Sequence, residues 1–300
     1  MKKGLFYILL TAILFTTLEP VSKLIAEQVN PFAITFIRFF IGGAMLLPFS
    51  VSKVKRNGII LDKKDYLNMT FLGVLCVCIS MPLLQYAVLK ADSPALIAII
   101  FSSNSVFTIL LSAVILKDKV TPAKIAAIIL CASGVLVCTD FSSESNTLSV
   151  ILAVLSAFIF SMYTVLSKKS MTKLSGIIQT GYSFFTGSII LLIFLLIIRI
   201  DVVGTVNLST LPNLLYLGIA VTGVGYWSYF QAVEKTSTMA ASLVFFIKPI
   251  LTPLATFFIN GITPGGRVFI ALILVVAGSY LATAKIPSYS TAKNSIENGG

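Results

Sequence analysis

The amino-acid sequence repeats itself at a fixed offset of 145 residues. Four pairs of segments keep this register without a gap: 12–23 with 157–168, 39–42 with 184–187, 72–73 with 217–218, and 87–90 with 232–235. In the second pair, Phe39 and Phe40 return as Phe184 and Phe185. Single matches between apolar segments arise easily by chance. A shared offset across four of them indicates a duplicated unit, so we expect a fold of two related halves.

Both halves are too apolar for a water-soluble domain. Hydrophobic residues make up 57% of the 300 residues and charged residues 11%, whereas soluble proteins carry about 25% charge. Most of the surface is therefore expected to face the lipid bilayer. The net charge of +11 lies mainly in short loops, where basic residues set membrane orientation. It does not indicate a nucleic-acid partner.

Metal, cofactor and disulfide chemistry find little support in the sequence. The chain has no histidine, the commonest metal ligand and the side chain that titrates near neutral pH. The four cysteines, Cys76, Cys78, Cys131 and Cys138, lie in or at the ends of apolar segments without paired C-x-x-C spacing. We interpret them as small packing residues. The sequence predicts no metal site and no cofactor.

Each half contains five stretches of the length needed to cross a bilayer, which takes about 20 apolar residues per helix. The predicted helices are 4–24, 31–49, 67–89, 94–116 and 122–139, then 147–167, 175–198, 211–232, 238–259 and 265–284. The prediction is an all-α membrane protein of ten transmembrane helices. Its parts are a first repeat at 4–139, a second repeat at 147–284 and a disordered cytoplasmic tail at 285–300.

An odd number of helices per repeat makes the second copy enter the membrane from the opposite side, which gives an inverted repeat. With the N-terminus in the cytoplasm, the inner segments hold 16 Lys and Arg residues and the outer loops hold 3. Basic residues are enriched on the cytoplasmic side of membrane proteins. We therefore predict a plasma-membrane protein with both termini in the cytoplasm.

Two stretches carry a family resemblance. F-I-R-F-F-I-G-G-A-M-L-L at 36–47 is similar to the second helix of the EamA family of the drug/metabolite transporter superfamily, and 116–135 is similar to its helix 4–5 junction. The family usually has Glu where this chain has Asp118, and the second half has Asn260 at that place. Any role of that acid is therefore not carried over. The resemblance covers roughly 4–284 and implies solute transport by alternating access, without naming the solute.

Several functions remain open at this point. The leading hypothesis is a secondary transporter of a small polar metabolite such as an amino acid or organic acid, because Glu19, Arg38 and Lys248 sum to +1. Efflux of cationic or aromatic compounds is the alternative, and would rely on Glu19 and the aromatic residues.

A membrane enzyme is disfavoured since zinc H-E-x-x-H and Ser-His chemistry need histidine. A channel usually needs ligands arranged around an axis. The predicted partners are a small-molecule solute and lipid, and a homodimer is left open.

Lys248 is the strongest candidate for contact with the solute. It lies near the middle of a predicted helix, beside Pro249 and one turn before Pro253, and broken helices at the bilayer centre are where transporters bind substrate. The alternative is a structural ion pair with Glu19. The 145-residue offset places Ser103 and Asn104 opposite Lys248 and Pro249. These two polar positions would form a central cavity, or would hydrogen-bond between helices.

The remaining charged residues within the predicted helices, and two aromatic residues, each have a functional and a structural interpretation. Arg38 is too deep for a headgroup anchor, and either binds a carboxylate or phosphate or pairs with Glu19. Lys23 is expected to pair with Glu19 or to extend to the outer interface. Tyr226 and Trp227 would form an aromatic wall for a cation or ring, or belong to the aromatic belt at the membrane interface.

Overall fold

The computed structural model describes residues 2–117, 121–138, 144–170, 174–202, 204, 206–235 and 244–283. Within these ranges the regular secondary structure is entirely helical. The helices are α1 (Lys2–Thr16), α2 (Leu18–Ile25), α3 (Pro31–Arg56), α4 (Lys63–Gly73), α5 (Met81–Lys90), α6 (Pro94–Phe101), α7 (Asn104–Ile115), α8 (Pro122–Cys138), α9 (Glu144–Ser170), α10 (Gly176–Ile197), α11 (Leu211–Leu215), α12 (Gly225–Lys235), α13 (Val244–Asn260) and α14 (Gly266–Thr283). Two π-helical segments, Val74–Ser80 and Tyr216–Val224, join α4 to α5 and α11 to α12. The predicted tail at 285–300 and Asp118 lie outside the described residues.

Several of these helices are long and apolar enough to cross a membrane. Six qualify by length and composition among the described residues: Lys3–Ile25, Pro31–Arg56, Lys63–Lys90, Pro94–Ile115, Asn146–Ser170 and Gly176–Ile197. Shorter apolar helices run over Pro122–Val137 and Gly266–Leu281. The chain is therefore an all-α, multi-pass membrane protein.

Local sequence explains where the helices begin and end. The Asn30 side chain accepts a hydrogen bond from the Phe32 amide, and Pro31 occupies the first turn of α3, where no amide donor is needed. Asp62 and Asp65 form a reciprocal capping box at the start of α4. α3 ends at Arg56, beyond the predicted end of its membrane span at residue 49, because the basic residues of its last turn favour a helix C-terminus.

The most extensive contact between two helices in the described residues joins α3 and α10. Phe39 packs edge-to-face on Phe184 with ring centroids 4.6 Å apart, and Phe40 stacks on Phe185 at 5.9 Å. These are the residue pairs related by the 145-residue offset. Gly43 allows the close approach, since a Cβ there would lie 2.7 Å from the Phe185 amide nitrogen.

A second close contact joins α4 to α10 at Gly73 and Gly187. A Cβ on Gly187 would lie 2.7 Å from the Gly73 carbonyl oxygen and 3.0 Å from its Cα. Both are backbone atoms, so neither can move without displacing a helix. Small residues at such crossings let membrane helices pack through their backbones.

Gly187→Ala is therefore expected to destabilise the protein by about 1–3 kcal/mol, the usual cost of overpacking, and to lower its melting temperature in detergent. Gly266→Ala is the matched control. A Cβ there meets nothing within 4 Å, so this variant should melt close to the wild type. Equal melting temperatures for the two variants would contradict the backbone contact.

Candidate functional site

A cavity of about 50 Å³ lies inside the helix bundle. Apolar and aromatic side chains dominate its wall, and basic and polar side chains interrupt it. The lining residues are Phe15, Leu18, Arg38, Met81, Leu84, Phe101, Ser102, Asn104, Phe160, Val221, Thr222, Tyr226, Phe245 and Lys248. A mostly apolar wall with a few convergent polar groups is the usual form of a small-molecule site.

The cavity lies where the surrounding helices depart from regular α-helical geometry. The first membrane stretch breaks at Thr17, between α1 and α2, because Pro20 has no amide to continue the hydrogen-bond ladder. A second break falls at Ser102 and Ser103, between α6 and α7. Here the Ser102 hydroxyl donates to the Ala98 carbonyl, and such bonds compete with helical pairing.

One π-helical segment lines the cavity, and the other ends next to a lining residue. Met81 directly follows Val74–Ser80, while Val221 and Thr222 belong to Tyr216–Val224. Segments of π-helix are rare and occur frequently at functional sites. The two segments overlap when one is shifted by the 145-residue offset.

Glu19 and Lys248 form a buried ion pair beside the cavity. The Lys248 ammonium donates to Glu19 Oε1 at 2.6 Å, and the two side chains are 8% and 0% exposed. The ammonium also lies 5.6 Å from the Phe101 ring centroid, a cation–π distance. The structural interpretation of Lys248 as a partner of Glu19 is thus confirmed as a contact, and Lys248 also lines the cavity.

Arg38 lies on the cavity wall, and no carboxylate among the described residues is in contact with it. It is 2% exposed, its Nη2 donates to the Met81 sulfur at 3.2 Å, and its Cζ lies 4.5 Å from the Phe39 ring centroid. Its Nε and Nη1 find no acceptor among the described residues. The suggested pairing of Arg38 with Glu19 is wrong: Glu19 Oε1 accepts from Lys248, and the side-chain hydrogen bond of Arg38 goes to Met81.

The structure brings together most of the predicted site residues. Lys248, Asn104, Arg38 and Tyr226 line the cavity, and Glu19 joins them through Lys248. Two predicted residues lie elsewhere. Ser103 is buried, but Ser102 and not Ser103 is among the lining residues.

Trp227 does not line the central cavity. Its ring packs edge-to-face on Tyr7 at 5.6 Å, and it faces a separate pocket with Lys53, Gln231 and Glu234. Its neighbour Tyr226 points the other way, toward Phe15 and Phe184 with centroids 5.0 and 4.8 Å away. Consecutive helical residues diverge by about 100°, so the two rings cannot share one wall.

Two other expectations are changed. Lys23 donates to the Leu89 and Ala91 carbonyls at 3.0 and 2.7 Å rather than to Glu19, as expected for a side chain that extends to the interface. The predicted break beside Pro249 and Pro253 is absent, since α13 runs through both prolines.

Sequence reasoning missed several lining residues. No periodic signal marks these residues, because they are apolar or weakly polar and lie within apolar helices: Met81, Phe101, Phe160 and Thr222.

Among the described residues, no group of three or more His, Cys, Asp or Glu side chains could hold a metal ion.

Comparisons with known proteins agree with this architecture. The model of the EamA-like transporter family matches residues 2–139 and again 147–284. A solved crystal structure superposes with a TM-score of 0.64 over 94% of this chain and 97% of its own length, at 19% identity. At this identity the likeness shows the fold alone.

Curated relatives extend over most of the chain. An uncharacterized transporter of Clostridium kluyveri is 34% identical over 94% of this chain and 93% of its own length. A probable terminal-alkyne amino-acid exporter of Streptantibioticus cattleyicolor is 24% identical over 59% of each chain. The family and relative names indicate transporters rather than enzymes. The twofold family match and the likeness to the Clostridium kluyveri protein show that this chain belongs to the EamA-like transporter family of the drug/metabolite transporter superfamily.

Proposed function

We propose that this chain is a secondary transporter that moves a small carboxylate-bearing solute, such as an amino acid or organic acid, across the plasma membrane by alternating access. Arg38 carries the proposal. Its guanidinium is buried on the cavity wall, and its Nε and Nη1 lack acceptors among the described residues. A solute carboxylate can accept from two guanidinium nitrogens at once.

The charge balance of the site supports an anionic or zwitterionic solute. Lys248 and Glu19 neutralise each other at 2.6 Å. The guanidinium of Arg38 therefore gives the cavity a net positive charge. Burial of an unpaired charge is costly, and a bound carboxylate would remove that cost. A cationic solute would compete with Lys248 for Glu19. The amino-acid exporter among the relatives supports the same solute class.

Alternating access accounts for the small volume of the cavity. A volume of about 50 Å³ holds only a few water molecules at about 10–15 Å³ each, so the site must widen to admit a metabolite. The breaks at Thr17 and at Ser102 lie at or beside lining residues, and the π-helical segment Tyr216–Val224 contributes Val221 and Thr222 to the wall. We propose that these segments bend as the site opens to one side and then to the other.

We also propose ten membrane helices in two inverted repeats, 4–139 and 147–284, with both termini in the cytoplasm. The contacts at the helix ends support this topology. Lys53 pairs with Glu234, and Asn68 donates to Ser170, all on the side assigned to the cytoplasm. Ser209 donates to Gln28 on the opposite side. The two family matches are related by the same 145-residue offset.

Cysteine labelling tests this topology. In a chain without the native cysteines, Gln28→Cys and Leu208→Cys should react with a membrane-impermeant maleimide added outside intact cells. Asn57→Cys should react only after permeabilisation. All three positions are exposed. Labelling of Asn57→Cys in intact cells, or protection of the other two, would reject the proposed orientation.

A thermal-shift screen of the purified protein tests the solute class. Amino acids and small organic acids should raise the melting temperature, because ligands that bind only the folded state stabilise it. Amides of the same compounds lack the carboxylate and should give no shift. Stabilisation by lipophilic cations alone would favour efflux of cationic or aromatic compounds.

A further inference from the structure

A larger groove runs along the outer surface of the bundle, beside α3 and α10. Its volume is about 860 Å³. The α3 wall consists of Ala44, Leu47, Pro48 and Val51, and Phe185 of α10 lies opposite. The α3 residues are three or four positions apart, so they share one helical face. The groove therefore presents a continuous apolar wall.

One end of this groove is strongly basic. Ser52, Lys55 and Arg56 complete its lining, and no carboxylate is among the lining residues. Lys55 and Arg56 are exposed in the last turn of α3. The neighbouring Lys53 is engaged with Glu234. A ligand with a negative head and an apolar body would match both parts of the groove.

The length of the groove indicates the size of that ligand. From Ala44 to Lys55 the helix rises by roughly 16 Å, at about 1.5 Å per residue. The hydrocarbon core of a bilayer is about 30 Å thick, so the groove has the depth of one leaflet. A free phosphate or a short metabolite would leave most of the apolar wall uncovered.

We infer that this groove binds one anionic phospholipid. Its phosphate lies against Lys55 and Arg56, and an acyl chain packs along Ala44 to Val51 and on Phe185. Arginine can bind two phosphate oxygens at once, and lysine adds a point charge. A zwitterionic lipid would bring its ammonium group to two cations in a groove whose lining residues include no carboxylate. The inference goes beyond the proposed function, and depends on neither the solute nor the direction of transport.

Native mass spectrometry of the delipidated protein tests the headgroup contact. Phosphatidylglycerol and phosphatidylcholine with the same acyl chains are added in equal amounts. The wild type should retain phosphatidylglycerol in preference, by about thirtyfold for two basic residues near the phosphate. Lys55→Gln with Arg56→Gln should remove the preference. Lys63→Gln with Lys64→Gln removes the same charge from exposed positions outside the groove and should keep it.

A second variant tests the apolar wall. Ala44→Trp fills the groove at an exposed position without changing the charge, and should reduce retention of phosphatidylglycerol. Equal retention of the two lipids by the wild type would overturn the inference, as would equal losses in both double variants. Unchanged retention by Ala44→Trp, or full displacement of the lipid by millimolar inorganic phosphate, would show that no acyl chain occupies the groove.

Discussion

Lys248→Met is expected to lower the free energy of unfolding by about 3–5 kcal/mol, the cost of removing one partner of a buried ion pair. The substitution leaves the Glu19 carboxylate, 0% exposed, without its counter-charge. Glu19→Gln in the same chain should restore stability, because a neutral amide is cheaper to bury than a carboxylate. Melting temperatures of the two single variants and the double variant in detergent measure this coupling.

The matched control is Lys53→Met. Lys53 also pairs with a glutamate, Glu234, but these side chains are 29% and 45% exposed. Loss of an exposed pair costs only about 0–1 kcal/mol. If Lys248→Met is as stable as Lys53→Met, the Glu19–Lys248 pair does not form in the folded protein.

Transport by the double variant, with Lys248→Met and Glu19→Gln, then separates a role of Lys248 in solute binding from its role in stability. Full recovery of transport would make the residue purely structural.

Arg38→Met is expected to weaken solute binding strongly without a loss of stability. The substitution removes a buried cation that contacts no carboxylate in the described part of the chain, so the melting temperature should stay equal or rise. The affinity for a carboxylate solute should fall about tenfold or more, equivalent to at least ~1.4 kcal/mol. Solute titrations followed by thermal shift measure both quantities on the same samples.

Arg38→Lys refines this test. Lysine keeps the charge but cannot hold a carboxylate with two parallel hydrogen bonds, so the affinity should fall between those of the wild type and Arg38→Met. A strong fall in the melting temperature of Arg38→Met, with an unchanged solute-induced shift, would instead assign Arg38 to the packing of α3.

The all-α membrane class was predictable, because membrane-spanning helices are recognised by their length and apolar composition. The predicted spans overlap the observed helices, and α3 exceeds its span where the basic last turn continues the helix into the interface. The π-helical segments were not predictable, since Val74–Ser80 and Tyr216–Val224 are mostly apolar. A continuous apolar segment has no alternation of polar and apolar residues, so its sequence does not indicate whether the helix has α or π geometry.

The charged part of the site was predictable for a related reason. A charge inside a bilayer is costly, so Glu19, Arg38 and Lys248 stood out against their apolar surroundings. Their pairing did not follow from sequence, because spacing along one helix says nothing about distances between helices. The 145-residue offset predicted Ser103, whereas Ser102 lines the cavity, because a shift in sequence does not state which side of a helix faces inward.

Solute counterflow in proteoliposomes tests the central claim most directly. Vesicles containing the wild-type protein are loaded with an unlabelled carboxylate solute taken from the thermal-shift screen, and the labelled compound is added outside. Wild-type vesicles should accumulate label transiently above equilibrium, as expected for a carrier, and vesicles with Arg38→Met should behave like protein-free liposomes. Equal accumulation by Arg38→Met, or counterflow of organic cations but of no carboxylate, would contradict the account.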